Sequence, residues 1–173
     1  MRLNGMVDVS GKNITLRRAK AQAVVKLKPR IIELIKKKKV LKGDVLEQAK
    51  VAGIMAAKKT SELIPLCHPL SISDIKVSFA LGRREVKITS SVSARERTGV
   101  EMEALIAATL AALTIYDMCK MYDRAIEITE IFLLKKTGGK SKIATLKGSH
   151  CSCRACSAMP SKLGHYIDVV RGF

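Results

Sequence analysis

Two periodicities of apolar and polar residues run along this chain, and the points where one gives way to the other predict its elements. From Ala23 onward the segment 21–28 (AQAVVKLK) alternates at period two, as a strand does. Pro29 then opens a short helix, Arg30 to Lys37, with Ile31, Ile32, Leu34 and Ile35 on its apolar side. Lys42-Gly43-Asp44 leads into a longer helix, Val45 to Leu63, in which Val45, Leu46, Ala49, Ala52, Gly53 and Ala56 recur at helical spacing. Asp44 suits the N-cap, and Glu47 three residues later resembles the return half of a capping box. After the Pro-containing turn Ile64 to Leu70, the runs Ile72–Leu81 and Glu85 to Ala94 alternate as strands, joined by Gly82-Arg83-Arg84. An Ala-rich helix follows from about Val100 to Tyr122, and a last strand from Ile126 to Lys135. The order β-α-β-β-α-β predicts an α+β domain, an antiparallel sheet with helices on one face in the split βαβ arrangement.

The Ala-rich helix holds the main chemical signal. Ionisable residues flank thirteen uncharged ones, Ala104 to Tyr116, with Glu101 and Glu103 before them and Asp117 and Lys120 after. Such a centre is too short for a hydrocarbon core of ~30 Å, which needs about 20 residues, so a core or subunit-contact helix is expected and no membrane span. Ala104, Ala107, Ala108, Ala111 and Ala112 allow a neighbouring helix to come close, and the helix is apolar nearly all round. One sheet face satisfies only one stripe. A homo-oligomer is therefore expected.

Composition narrows the class. The chain has 173 residues and is 47% hydrophobic, enough for one domain with a real core. Five cysteines, an odd number, argue against a disulfide framework. The first residues show no secretory pattern, so a soluble cytoplasmic protein is expected. A net charge of +17 favours anionic partners. Aromatics are only 3%, which supplies no stacking platform for single strands and makes nucleic acid the weaker partner class. The run Lys36-Lys37-Lys38-Lys39 reads as a solvated helix end, where Lys complements the negative pole of the macrodipole.

Asp117 and Lys120 are three apart, so they share a helix face. At the edge of a low-dielectric region their pKa values would shift toward proton transfer. Glu103 and Asp117 are fourteen positions apart and separated by about 20 Å along one helix. Two copies packed antiparallel across a two-fold axis would bring Glu103 of one near Asp117 of the other. Cys67 and His68 lie between Pro65 and Pro69. Neighbours on an extended chain point to opposite faces, so a Cys-His nucleophile is disfavoured, and His68 is better read as a phosphate or substrate contact. Arg17, Lys42, Lys58 and Lys136 could together hold a phosphate ester. His150, Cys151, Cys153 and Cys156 supply at most half of a zinc site, so no metal centre is assigned.

Several longer motifs carry a resemblance. LIPLCHPL at 63–70, TGVEMEAL at 98–105, ALTIYDMCK at 112–120 and KTGGKS at 136–141 are similar to the cyclic pyranopterin monophosphate synthases, the molybdenum cofactor biosynthesis protein C family. MVDVS at 6–10, KGDV at 42–45 and AGIMAAK at 52–58 fit as well. The resemblance implies a ferredoxin-like catalytic domain over residues 1–141; 142–173 has no counterpart in it, and with Gly148-Ser149-His150 reads as an extension that is disordered or left from cloning. It implies a hexamer built as a trimer of dimers, with active sites at dimer interfaces. The activity implied is that of a phosphorus-oxygen lyase: cyclised dihydro-GTP is rearranged to cyclic pyranopterin monophosphate, and diphosphate leaves. By matching position, Asp117 and Lys120 would be catalytic. Leu66, Cys67, His68, Met102 and Glu103 would contact substrate, as would Lys42, Lys58, Lys136 and Arg17, with Glu101 a weaker member. No redox cofactor is implied, and a divalent cation could accompany the triphosphate without any ligand motif here.

Overall fold

The computed structural model describes residues 5–139 and 143–144. Its elements are β1 (Thr15–Lys26), α1 (Pro29–Lys36), α2 (Val45–Lys58), α3 (Thr60–Leu63), β2 (Ile72–Leu81), β3 (Glu85–Glu96), α4 (Glu101–Cys119), β4 (Glu127–Thr137) and the two-residue β5 (Ile143–Ala144). The strands form one sheet in the order β2-β3-β1-β4-β5, every adjacent pair antiparallel. The expected tail 142–173, with its cysteines, otherwise lies outside the described residues.

Strand β1 is central, and this makes it longer than its alternation suggests. Pairing with β3 on one side and β4 on the other orders Arg18 and Lys20, and pairing with β3 alone extends order back through Arg17; the charges of all three obscure the pattern. Its alternate residues Ala19, Ala21, Ala23 and Val25 face the same way as Val92, Ser90, Ile88 and Val86 of β3. All eight are buried. Onto this face packs α4, with Ala104, Ala107, Ala108, Ala111, Ala112 and Ile115 without exposed surface. Small side chains on both surfaces permit a close approach, and the Ser90 hydroxyl donates across it to the Ala104 carbonyl at 2.6 Å. Burial in this layer identifies α4 as a core helix, although its length and apolarity alone would allow a membrane crossing.

Helix α2 lies beside α4 and reaches β2. A Cβ on Gly53 would sit 2.7 Å from the Ala107 carbonyl, so this contact requires glycine. Lys42, just before α2, bonds to Asp117 in the last turn of α4, so the two helices run antiparallel. The long helix expected over 45–63 breaks at Lys59. Thr60 begins α3 and donates its hydroxyl to the Ala57 carbonyl, competing with the helical ladder.

The local end signals fall where chemistry puts them. Pro29 occupies the first turn of α1. That helix closes with Lys38 at φ 54°, Lys38 N–H donating to Ile35 and Lys39 N–H to Leu34, a Schellman motif without glycine. The lysine run is thus a helix end, with Lys36 paired to Glu33 and Lys38 to Asp44. Asp44 accepts from the Glu47 N–H at 3.3 Å. The reciprocal half of the capping box is absent, because Glu47 instead pairs with Lys50 at 2.6 Å. In β4 the apolar phase changes between Ile128 and Ile131. There Glu130 adopts φ 55° and the pairing with β1 skips from Thr129 to Phe132, a bulge that leaves Ile131 exposed.

Candidate active site

Two charged clusters sit at opposite ends of α4. At its C-terminal end Asp117 is held between two ammonium groups, Lys42 Nζ at 2.7 Å from Oδ2 and Lys120 Nζ at 2.7 Å from Oδ1. Lys42 also donates to the Asp117 backbone carbonyl at 3.0 Å. The hydrogen bonds from Lys120 and then Lys42 pull the Asp117 carboxyl down to about 2, and Asp117 raises Lys120 in return. The sequence led us to expect a carboxyl tuned for proton exchange by apolar surroundings. In the single chain its side chain is 53% exposed, and the pairing tunes it toward full ionisation.

The N-terminal end of α4 gathers the other candidates. Glu101 pairs with Lys136 of β4 at 2.9 Å, both partly shielded. Gly99 makes this geometry accessible, since a Cβ there would overlap the Glu101 carboxylate. Glu103 is buried, and burial raises its carboxyl above the usual range, with the Glu101 charge adding to the effect. Cys67 is half-buried; its thiol is raised by that burial first and by nearby Glu103 second. His68 lies near enough to Asp8 to help lower that carboxyl, chiefly lowered by hydrogen bonds from Ser10. Leu66 is exposed and Met102 half-buried. Lys58 ends α2 and is exposed; the antiparallel course of α2 carries it toward this same end.

Arg17 of β1 donates through Nε to the Glu96 carbonyl at 3.2 Å and through Nη2 to the Arg97 carbonyl at 3.0 Å. Gly138 and Gly139, at φ 88° and 85°, run against it, and a Cβ at Gly139 would strike the Arg17 guanidinium. Together these segments wall an open cavity of about 780 Å³. Five cations line it, Lys12, Arg17, Arg18, Arg97 and Lys136, against one carboxylate, Glu101. Such a lining is built for a polyanion.

The candidate residues therefore do not converge within one chain. Asp117 and Glu101 are sixteen positions apart, about 24 Å along the helix. Among the described residues no group of three His, Cys, Asp or Glu side chains could hold a metal ion. Both charged ends coincide with the motifs that carried the resemblance, and residues 6–139 match the MoaC family. The chain belongs to the MoaC family. A cyclic pyranopterin monophosphate synthase of Geotalea uraniireducens is 56% identical over 140 residues, covering 80% of this chain and 88% of the relative. One of Streptomyces coelicolor is 52% identical over 136 residues, covering 79% of this chain and 80% of the relative. A molybdenum cofactor biosynthesis bifunctional protein of Chlorobaculum tepidum is 54% identical over 144 residues, covering 82% of this chain and 46% of that longer protein.

The motifs that carried the resemblance do not include every cation of the cavity. Lys12, Arg18 and Arg97 were not singled out from the sequence. Isolated basic residues in a chain this basic carry no individual signal. Only the pairing of β1 with β3, which sets Thr15 opposite Glu96 and Arg17 opposite Ala94, brings residues 12–18 and 96–97 together.

Proposed function

We propose that this protein is the lyase that converts cyclised dihydro-GTP to cyclic pyranopterin monophosphate and diphosphate in molybdenum cofactor biosynthesis. The observation that carries this reading is the match along residues 6–139 to a family whose curated relatives bear that enzyme's name. The cavity supports it, because a triphosphate ester is the kind of polyanion it would take. A soluble, cytoplasmic enzyme fits this role. A divalent ion would travel with the triphosphate as part of the substrate. The strand order supports a ferredoxin-like reading of the fold, with β5 added beside β4.

The active enzyme is a homo-oligomer with sites shared between copies. The separation of the two charged ends of α4 supports this, as do Val51, Met55 and Leu113, large apolar side chains of α2 and α4 left exposed. Antiparallel packing of two such helix layers across a two-fold axis would place the Glu101/Glu103 end of one copy beside the Asp117 end of its partner. Three such dimers would make the expected hexamer.

Roles follow from the local chemistry. Lys136, Arg17 and Lys58 would face phosphates from one copy, and Lys42, Lys120 and Asp117 would complete the site from the other. Leu66, Cys67, His68 and Met102 would line the region taken by the base and sugar. A substrate that draws Lys42 or Lys120 from Asp117 removes the hydrogen bonds holding its carboxyl low. Exclusion of water by the second copy adds desolvation. Both raise the carboxyl toward proton exchange, so Asp117 would become a general base or acid only in the loaded, assembled site. In the last step a sugar hydroxyl oxygen bonds to the α-phosphorus as its proton passes to a base. The α–β bridging oxygen leaves with the bonding pair on diphosphate.

Purified protein given the cyclised nucleotide should release one diphosphate for each pyranopterin formed. Binding of that nucleotide with no diphosphate released would leave a pterin-binding protein and no enzyme.

A further inference from the structure

Arg17 and Lys136, the two cavity cations expected to hold phosphate, are both already engaged. Arg17 is laced to the carbonyls of Glu96 and Arg97, and Lys136 is paired with Glu101 at 2.9 Å. Arg97 and Lys12 line the same cavity, and among the described residues neither is paired with a carboxylate. Glu96, the acid next to Arg97, is turned away and accepts from the Ser71 N–H at 3.0 Å. Of the five cavity cations only Lys136 is paired with a carboxylate among the described residues, so three of the four left uncompensated, Lys12, Arg18 and Arg97, are residues that the motifs did not single out.

We propose that Arg97 and Lys12 are substrate-positioning residues that grip the terminal phosphates, the part that departs as diphosphate. This rests on the lyase reading above. Arg97 is well placed for the task. Its own carbonyl accepts from the Arg17 guanidinium at 3.0 Å, so the two arginines belong to segments bonded directly to each other. Its planar fork can bind two phosphate oxygens at once, and Lys12 adds a point charge from the segment before β1. As the α–β bridging bond breaks, negative charge accumulates on the leaving diphosphate, and cations already in position stabilise it without reorganising. The same grip makes inorganic pyrophosphate a product inhibitor at this cavity.

The test is steady-state kinetics on Arg97→Ala, Lys12→Ala and the double variant, with inorganic pyrophosphate as inhibitor and oligomeric state and Tm recorded for each. The proposal expects KM and the pyrophosphate inhibition constant to rise together, about 10-fold for each single variant and more for the double, with partial recovery in Arg97→Lys. Unchanged values within about twofold in folded variants would overturn it and leave the lyase reading standing. Calorimetry with inorganic tripolyphosphate on wild type and Arg97→Ala decides the site even if wild type shows no turnover. Binding weakened about 10-fold by the substitution supports the grip, and equal binding or none in wild type refutes it.

Discussion

Lys42 Nζ bonds both the Oδ2 carboxylate oxygen and the backbone carbonyl of Asp117, tying the segment before α2 to the last turn of α4. The contact is exposed, and ion pairs of this kind add little to stability. Its value is positional. Lys42→Met should therefore leave Tm within a few degrees of wild type while lowering kcat by about 100-fold or more, the usual scale for a lost proton-transfer or charge-stabilising partner. Thermal melts and diphosphate release on the same preparation check both halves.

The Asp117 carboxyl sits at about 2 when folded, against 3.8 for an unpaired aspartate. A carboxyl lowered by folding stabilises the protein above its unfolded value and loses that contribution as pH falls through the folded one. Because the pair is exposed and screened, the stability gap between wild type and Asp117→Asn should be small, full above pH ~4 and closing between pH ~4 and ~2. Melts across that window measure it.

Glu103 has the opposite sign. Burial raises its carboxyl, so ionisation near neutrality opposes folding, and the cost disappears as pH falls below the unfolded value of 4.5. Glu103→Gln should raise Tm by a few degrees at pH 7 and by nothing at pH ~4. Loss of activity alongside the gain in Tm would mark a strained functional carboxyl.

Gly53→Ala sets two effects against each other. Replacing a helix-interior glycine with alanine ordinarily gains about 0.5–1 kcal/mol. Here the new Cβ would lie 2.7 Å from the Ala107 carbonyl, a backbone atom that cannot swing aside. Overpacking of this kind costs about 1–3 kcal/mol, so the clash should win and Tm should fall. Urea titration gives the sign directly.

Much of this was legible in the residues. The alternation of Ile75, Val77, Phe79 and Leu81 marked β2 at both ends, because one face of that strand is shielded, with Val77 buried and the other three half-buried, and the opposite face is exposed. The motifs that carried the family resemblance were legible as residue strings. Two things were hidden. The charged half of β1 gave no strand signal, since Ala19 is its one buried apolar residue and its order comes largely from pairing with neighbouring strands. The distribution of site residues between the two ends of α4 was visible as a count along the helix. Which cations share a cavity was not, because Lys12 and Arg97 meet only through the register of β1 on β3.

The shared site is the claim on which the roles depend, and subunit complementation tests it most directly. Glu103→Ala and Asp117→Ala variants, each inactive alone, are co-expressed so that subunits mix at random. If each site takes its acid from one copy and its Asp117 from the other, half the dimers are mixed and one of their two sites is intact. The co-expressed protein should then recover about a quarter of wild-type activity. Activity no higher than that of either variant alone, in a preparation shown to contain mixed oligomers, would contradict a site built from two chains.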